Sequence, residues 1–378
     1  MHWKVPFINL GQQFINQKEE LVSAFNRIME SGSFILRDDV NIFEKNMASF
    51  LNVKNVVGVN SGSDALILAA KMLGLKKGDE VLTVAHTYIM TISAIYHTGA
   101  TPVLVDIDED FNIDTNKIES LINKNTKAIF PVHINGRMAN MKEISKLAKK
   151  YNLAIIEDSA QGLGAKINGL NPGNFSSIGC FSSHPMKTLG CAGDGGFIST
   201  DDDELARKLR ILRNHGQENK YDYKSYGLSS RLDTLQAAIL NVKFPLFKNW
   251  IKKRREIASL YDHGLKKLPL VLPTFLDKKN KHFDVYSSYV IRTSSQEKLV
   301  EFLRNCGIEV FIHLGPKSIS ENKDLFFKIP QKLEKTEKVS KQVVSLPIYP
   351  ELDLENVNYV INCIKDFFNK NSNSNRPS

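Results

Sequence analysis

An α/β fold, with a mostly parallel central sheet flanked by helices and a smaller C-terminal α+β domain, is predicted by three features of this 378-residue chain. Short, almost continuously apolar segments alternate with amphipathic ones over the first two-thirds, small and polar residues gather where the apolar segments end, and the composition becomes more charged beyond residue 245. Parallel strands read as unbroken apolar runs because helices cover both faces of their sheet. The strand candidates are Val56–Asn60, Glu80–Ala85, Pro102–Ile107, Ala128–Val132, Leu153–Asp158, Ile178–Ser182 and Gly196–Thr200. Helical periodicity fills the gaps, for example at Met141–Tyr151 and Glu204–Asn214. A long helical pattern around Arg231–Val242 closes a large unit, residues 1–245. The second unit, 246–368, opens with a helix that sets Lys252-Lys253-Arg254-Arg255 against Trp250, Ile251, Ile257 and Leu260. It then crosses a Pro/Lys-rich stretch near Leu268–Lys281 and carries helix signals at Gln296–Cys306 and Asn356–Phe368. The polar, low-complexity tail Asn369–Ser378 is expected to be disordered.

Composition excludes several classes. A hydrophobic content of 42% supplies a large core. The four cysteines, Cys180, Cys191, Cys306 and Cys363, are far apart and form no C-x-x-C pair, which argues for a reducing compartment and against a disulfide framework or a metal site. No apolar run has the length of a signal peptide or a membrane span, so a cytoplasmic protein without a membrane partner is expected. The formal charge of +9 is spread along the chain, and its one basic run reads as a solvated helix face; no nucleic-acid partner is expected.

Two segments carry chemistry. Lys187 lies in Cys180-Phe181-Ser182-Ser183-His184-Pro185-Met186-Lys187-Thr188-Leu189-Gly190, ahead of Gly193-Asp194-Gly195-Gly196, and downstream of the acid in Glu157-Asp158-Ser159-Ala160-Gln161. An amine held by small residues after a strand suits a Schiff base with an aldehyde cofactor, and pyridoxal phosphate also needs a carboxylate to keep its ring nitrogen protonated. Asp158 and Lys187 can fill these roles. Taken singly, they read as a strand-end acid and one of 50 Lys and Arg residues. The combination gains weight from Ser61-Gly62-Ser63-Asp64, a tight turn between an apolar strand and the helical run Ala65–Leu73. Free backbone N–H groups at such a helix start attract an anion, so Gly62 and Ser63 can bind phosphate. The same turn could serve only as an N-cap. Neither G-x-G-x-x-G nor G-x-x-x-x-G-K-[ST] occurs.

The ordered set Ser61-Gly62-Ser63-Asp64-Ala65-Leu66, Gly78-Asp79-Glu80-Val81, Thr87-Tyr88, Gly99-Ala100-Thr101-Pro102-Val103, Glu157-Asp158-Ser159-Ala160-Gln161, Ser182-x-His184-Pro185-x-Lys187 and Arg231-Leu232-Asp233-x-x-Gln236-Ala237-Ala238 resembles the DegT/DnrJ/EryC1/StrS sugar aminotransferases, fold-type I pyridoxal-phosphate enzymes. The resemblance runs from Val5 to about Phe368. It implies that Lys187 is the cofactor lysine and proton shuttle, that Asp158 pairs with the ring nitrogen, and that Ser182 joins Gly62 and Ser63 at the phosphate. It further implies that Tyr88 stacks on the cofactor and that Gln161 lies near its phenolic oxygen. A tyrosine packed in the core is the plain alternative for Tyr88.

The activity so implied transfers an amino group, with glutamate as donor and pyridoxamine phosphate as intermediate, to a nucleotide-linked keto sugar. Amination of a keto-cyclitol and a cofactor-free binding or regulatory role are the alternatives; the related dehydrases carry His where Lys187 stands. The family also implies a homodimer with shared sites, in which Gly227–Arg231 of one subunit covers the other's cofactor phosphate. In that segment Ser229 replaces the usual Asn. Two further departures, Arg37 for a glycine and His313-Leu314-Gly315-Pro316 for His-Tyr-Pro, lie in segments that the family places near the substrate opening.

Overall fold

The computed structural model describes residues 3–273 and 281–374. Its centre is a seven-stranded sheet built from β1 (Asn55–Val59), β2 (Glu80–Val84), β3 (Thr101–Val105), β4 (Thr126–Phe130), β5 (Ala154–Asp158), β7 (Ile178–Ser182) and β8 (Gly196–Thr200), with the two-residue strand β6 (Lys166–Ile167) lying outside it. The order is β1-β8-β7-β5-β4-β2-β3. Pairing is parallel from β7 through β3, whereas β8 runs antiparallel to both β7 and β1. Six strands therefore point one way. Every strand candidate is found within about two residues of its expected bounds, and the reversal of β8 is new.

Alternation along each strand sorts its side chains between two cores. Val56, Leu82, Val103, Ile155, Phe181 and Phe197 enter one, and Val57, Val81, Ala128, Ile156, Cys180 and Ile198 the other. Of the helices of the first hundred residues, α1 (Leu10–Ile15) and α2 (Lys18–Ser31) lie outside these cores, α2 packing on the helix Thr234–Lys243, whereas α3 (Asp38–Leu51), α4 (Gly62–Met72) and α5 (Ile89–Tyr96) cover parts of the sheet; α4 supplies Ala65, Leu66, Leu68 and Ala69 to the second core.

A third core belongs to the C-terminal unit. Its strands Tyr289–Arg292 and Val343–Leu346 pair antiparallel, and helices Gln296–Asn305 and Leu354–Ser374 pack with them. The helix Phe247–Leu265 joins the two units: Phe247, Trp250 and Ile251 belong to the large core, Ile257, Tyr261 and Leu265 to the small one. Val5, in the N-terminal segment, bridges to Ile308 and lies in the small unit's core. The last helix continues through Ser374, past the Asn369 at which disorder is expected, and 375–378 lie outside the described residues. Most of the Pro/Lys-rich stretch, 274–280, also lies outside them.

No described helix is long and apolar enough to cross a membrane. The four cysteines are free thiols.

Candidate active site

Six strands that point the same way deliver their C-terminal ends to one edge of the sheet, where an open α/β fold binds ligands. Ser61 follows β1, Thr87 and Tyr88 follow β2, Asp158 ends β5, and Ser182 ends β7. The loop that carries Lys187 connects β7 to the reversed β8 and so returns to that edge. These residues span more than 120 positions of sequence, and only the strand order makes them neighbours.

The anion cradle forms where α4 meets Ser182. Ser61 caps the helix, its Oγ accepting from Asp64 N at 3.1 Å. The N–H groups of Gly62 and Ser63 have no acceptor among the described residues. Gly62 is required by close approach: a Cβ there would sit 2.6 Å from Ser182 Cβ and 3.2 Å from its Oγ. The cap and the anion site are thus compatible, because the Ser61 side chain occupies one donor and leaves two.

Asp158 is 4% exposed. Its Oδ2 accepts from Thr91 Oγ1 at 2.7 Å, its Oδ1 accepts from Ala160 N at 3.1 Å, and Thr91 Oγ1 lies 2.8 Å from Thr87 Oγ1. Burial pushes this carboxyl above its usual range, and the hydrogen bonds and the Lys187 charge oppose that rise without cancelling it. Burial has the opposite effect on Lys187: it lowers the ammonium below its ordinary value, with Asp158 partly offsetting the shift. The two groups are mutually coupled, and Lys187 is held toward its neutral, nucleophilic form.

Other residues complete the rim. Tyr88 stands at the start of α5 with 65% of its surface exposed, which removes the core-packing alternative and leaves its ring face free to stack. Gln161 Oε1 accepts from Asn135 N at 2.9 Å, so its amide nitrogen is the end left to donate. Ser229 is drawn toward its own chain's Arg231, whose Nη2 donates to Ser229 Oγ at 3.3 Å. The neighbouring Ser230 turns to the cradle helix, donating to Asp64 Oδ2 at 2.8 Å.

Two participants carried no separate signal in the sequence, and a third, His313, was marked only by its segment. Thr91, one helical turn beyond Thr87, became visible only with its bond to Asp158. His133 is fully buried; its Nδ1 accepts from Ala139 N at 3.2 Å, so its Nε2 is the proton-bearing nitrogen and donates to Glu157 at 2.8 Å, behind Asp158. His313 comes from the small unit. Burial, and then the Lys187 charge, push it down to about 4, so it is neutral at pH 7, and its buried Nε2 has no partner among the described residues.

Together the residues fit pyridoxal phosphate: an anion cradle closed to a Cβ, a buried acid, a lysine whose ammonium burial weakens, an open aromatic face and a buried nitrogen without a partner among the described residues.

Similarity to known proteins agrees with this geometry. The model of the DegT/DnrJ/EryC1/StrS aminotransferase family matches residues 16–365. A dTDP-3-amino-3,6-dideoxy-alpha-D-galactopyranose transaminase of Aneurinibacillus thermoaerophilus is 40% identical, over 96% of this chain and 99% of that protein. A protein of Geobacillus stearothermophilus named "Pleiotropic regulatory protein" is 39% identical, over 96% and 98%. Among solved structures, S. venezuelae DesV in complex with a ketimine intermediate superposes with a TM-score of 0.92 at 35% identity, covering 99% of each chain. Sheet order, cradle and lysine loop thus agree with a family match over most of the chain, which belongs to the DegT/DnrJ/EryC1/StrS aminotransferases.

Proposed function

We propose that the protein is a pyridoxal-phosphate aminotransferase that moves an amino group from glutamate to a keto sugar carried on a nucleotide diphosphate. The observation that carries this reading is the pairing of a buried acid, Asp158, with a burial-weakened Lys187 beside the Gly62–Ser63–Ser182 cradle. Bound there, pyridoxal phosphate would supply an aldehyde for covalent capture of the amine and a ring that accepts electrons. Gly62 and Ser63 N–H groups and the Ser182 hydroxyl bind the phosphate. Asp158 would keep a proton on the ring nitrogen, Tyr88 would present its ring face, and the Gln161 amide would donate to the phenolic oxygen. Lys187, its ammonium weakened by burial, would be the amine that holds the aldehyde and the base that moves a proton there. Ser229 of a second subunit reaches the phosphate through its shorter hydroxyl.

The second subunit has support of its own. Helix α2 exposes Val22, Phe25 and Met29 along one stripe, next to exposed Phe14 and Ile15 of α1, an apolar face that a second copy of the chain would cover. Four free thiols suit work in a reducing cytoplasm. The Aneurinibacillus relative is named for a 3-amino sugar, which makes 3-keto sugars the first substrates to try.

Absorbance of the purified protein tests the chemistry: a near-visible band that shifts on addition of glutamate supports transamination. A colourless protein that never takes up the cofactor favours a regulatory role, after which the Geobacillus relative is named. Incubation with glutamate and a panel of nucleotide-linked 3-keto and 4-keto sugars, read by mass, then identifies the acceptor. Amination of a keto-cyclitol and of no sugar would replace the substrate assignment.

A further inference from the structure

Lys243 ends the helix Thr234–Lys243 and is only 7% exposed, in a place where an apolar side chain would pack at lower cost. Its Nζ donates to the Gly190 carbonyl at 2.8 Å and to Gln13 Oε1 at 3.0 Å. Gly190 is three residues beyond Lys187 and closes a compact turn: a Cβ on it would lie 2.5 Å from the Pro185 carbonyl oxygen and 2.7 Å from that of His184. Inside the turn, Lys187 N donates to His184 O and Cys191 N to Ser183 O, each at 2.8 Å. The Gly190 carbonyl of this turn is therefore held by a buried cation. On its other side that cation meets α1 through Gln13, whose side chain lies close enough to Glu351 of the small unit to lower that carboxyl against the rise that burial gives it; Glu351 also acts on the Lys243 charge and lies within the field of buried Arg254. Lys243 thus stands where the lysine loop, the N-terminal helix and the small unit converge.

We propose that Lys243 is a positioning residue for the transamination assigned above: it clamps the Gly190 carbonyl, sets the turn that aims Lys187, and couples that turn through Gln13 to the small unit. Lys243 touches neither substrate nor cofactor. A hydrogen bond to a charged donor is the strong kind, and an unmade one leaves a buried carbonyl unsatisfied, so its loss falls on the geometry of the turn. Burial is also the first cause that holds Lys187 toward neutrality; a turn that opens admits water and lets the amine rise toward its ordinary value.

Amide hydrogen exchange of the full chain tests the clamp whether or not the transaminase assignment holds. In Lys243→Met, exchange at the Lys187 and Cys191 amides should accelerate by about tenfold or more, with the strand Ile178–Ser182 unchanged. Lys243→Arg, which keeps charge and donors, should restore most of the protection. A second readout is trapping of Lys187 by pyridoxal phosphate and borohydride, located by peptide mass. The pH midpoint of trapping should move upward in Lys243→Met, and trapping at pH 7 should fall about tenfold, the order expected when a reacting group is misplaced. Should Lys243→Met fail to fold, Gln13→Leu removes the second acceptor alone and should give a smaller change in the same direction at the same two amides. Unchanged exchange at Lys187 and Cys191, or acceleration spread evenly over the chain, overturns the proposal. If the wild-type protein traps no cofactor, the aminotransferase reading fails, and the exchange data still decide the clamp.

Discussion

Asp158→Asn should make the cofactor-free protein more stable and the enzyme far slower. The exchange preserves shape. The amide oxygen can still accept from Ala160 N, now at 3.1 Å, and the amide nitrogen can donate to Thr91 Oγ1, now 2.7 Å away, because that hydroxyl can turn its own proton toward Thr87. No buried partner is left unmatched, while a carboxylate that burial disfavours is removed. The sign follows from linkage: the folded-state value of Asp158 is raised above its usual 3.8, so the folded chain holds this proton more firmly than the unfolded one. Wild-type stability is therefore lost as pH rises from 3.8 through the raised folded value. The variant escapes that loss, so its advantage grows as pH rises and shrinks toward pH 4. A gain of about 0.5–2 kcal/mol is typical when a strained functional group is neutralised, and each kcal/mol is worth roughly 2–4 °C in Tm for domains of this size class. Added cofactor should reverse the order, since Asp158 no longer holds the ring proton, and the half-reaction with glutamate should slow by about 10²-fold or more. Calorimetry of the cofactor-free proteins at pH 4.5, 6 and 7.5, repeated with cofactor, measures all of this. A variant that is less stable than wild type at pH 7.5, with a gap that does not change with pH, would refute the electrostatic account of Asp158.

Other perturbations separate the remaining roles. Lys187→Ala or Lys187→Arg should abolish steady-state turnover while the cradle still binds cofactor; near-normal turnover by the alanine variant in a coupled glutamate assay would remove Lys187 from the mechanism. Gly62→Ala must push Ser182 aside, since the new Cβ would lie 2.6 Å from that side chain, and should weaken cofactor affinity at least about tenfold in a fluorescence titration while Tm without cofactor falls modestly. Thr91→Val removes a donor to the Asp158 carboxylate, which costs about 1.5–3 kcal/mol for a charged acceptor; the pH profile of the glutamate half-reaction should move upward, and an unchanged profile would make Thr91 a packing residue. Mixing inactive Lys187→Ala with inactive Ser229→Glu should restore part of the activity if the sites are shared between subunits, because a heterodimer then holds one site with neither lesion. No recovery, once subunit exchange is shown by pull-down with a tagged copy, would dismiss the shared site.

What could be read without coordinates is what adjacent residues decide among themselves. Strand after strand, from Val56 to Thr200, is marked by an apolar run ending in small residues, and the Met141–Tyr151 helix by its amphipathic period, because backbone preference and side-chain burial are local properties of the chain. Chemistry was legible for the same reason: Lys187, Asp158 and the Ser61–Asp64 turn each carry their signal in a short segment. Distances across the sheet carry no such signal. The reversal of β8, which brings the Lys187 loop back to the strand ends, depends on pairing between Val59 and Gly196. The contact of Gly62 with Ser182 depends on which strand lies beside which, and so does the placing of Thr91 under Asp158. His313 near Lys187 and Lys243 behind Gly190 come from other layers: the lysine looks like any other in the sequence, and the segment of His313 carries a family signal but not its contact with Lys187. Their protonation is set by burial and by neighbours distant along the chain, Lys187 for His313 and Cys191 and Glu351 for Lys243, quantities that exist only once the layers have packed.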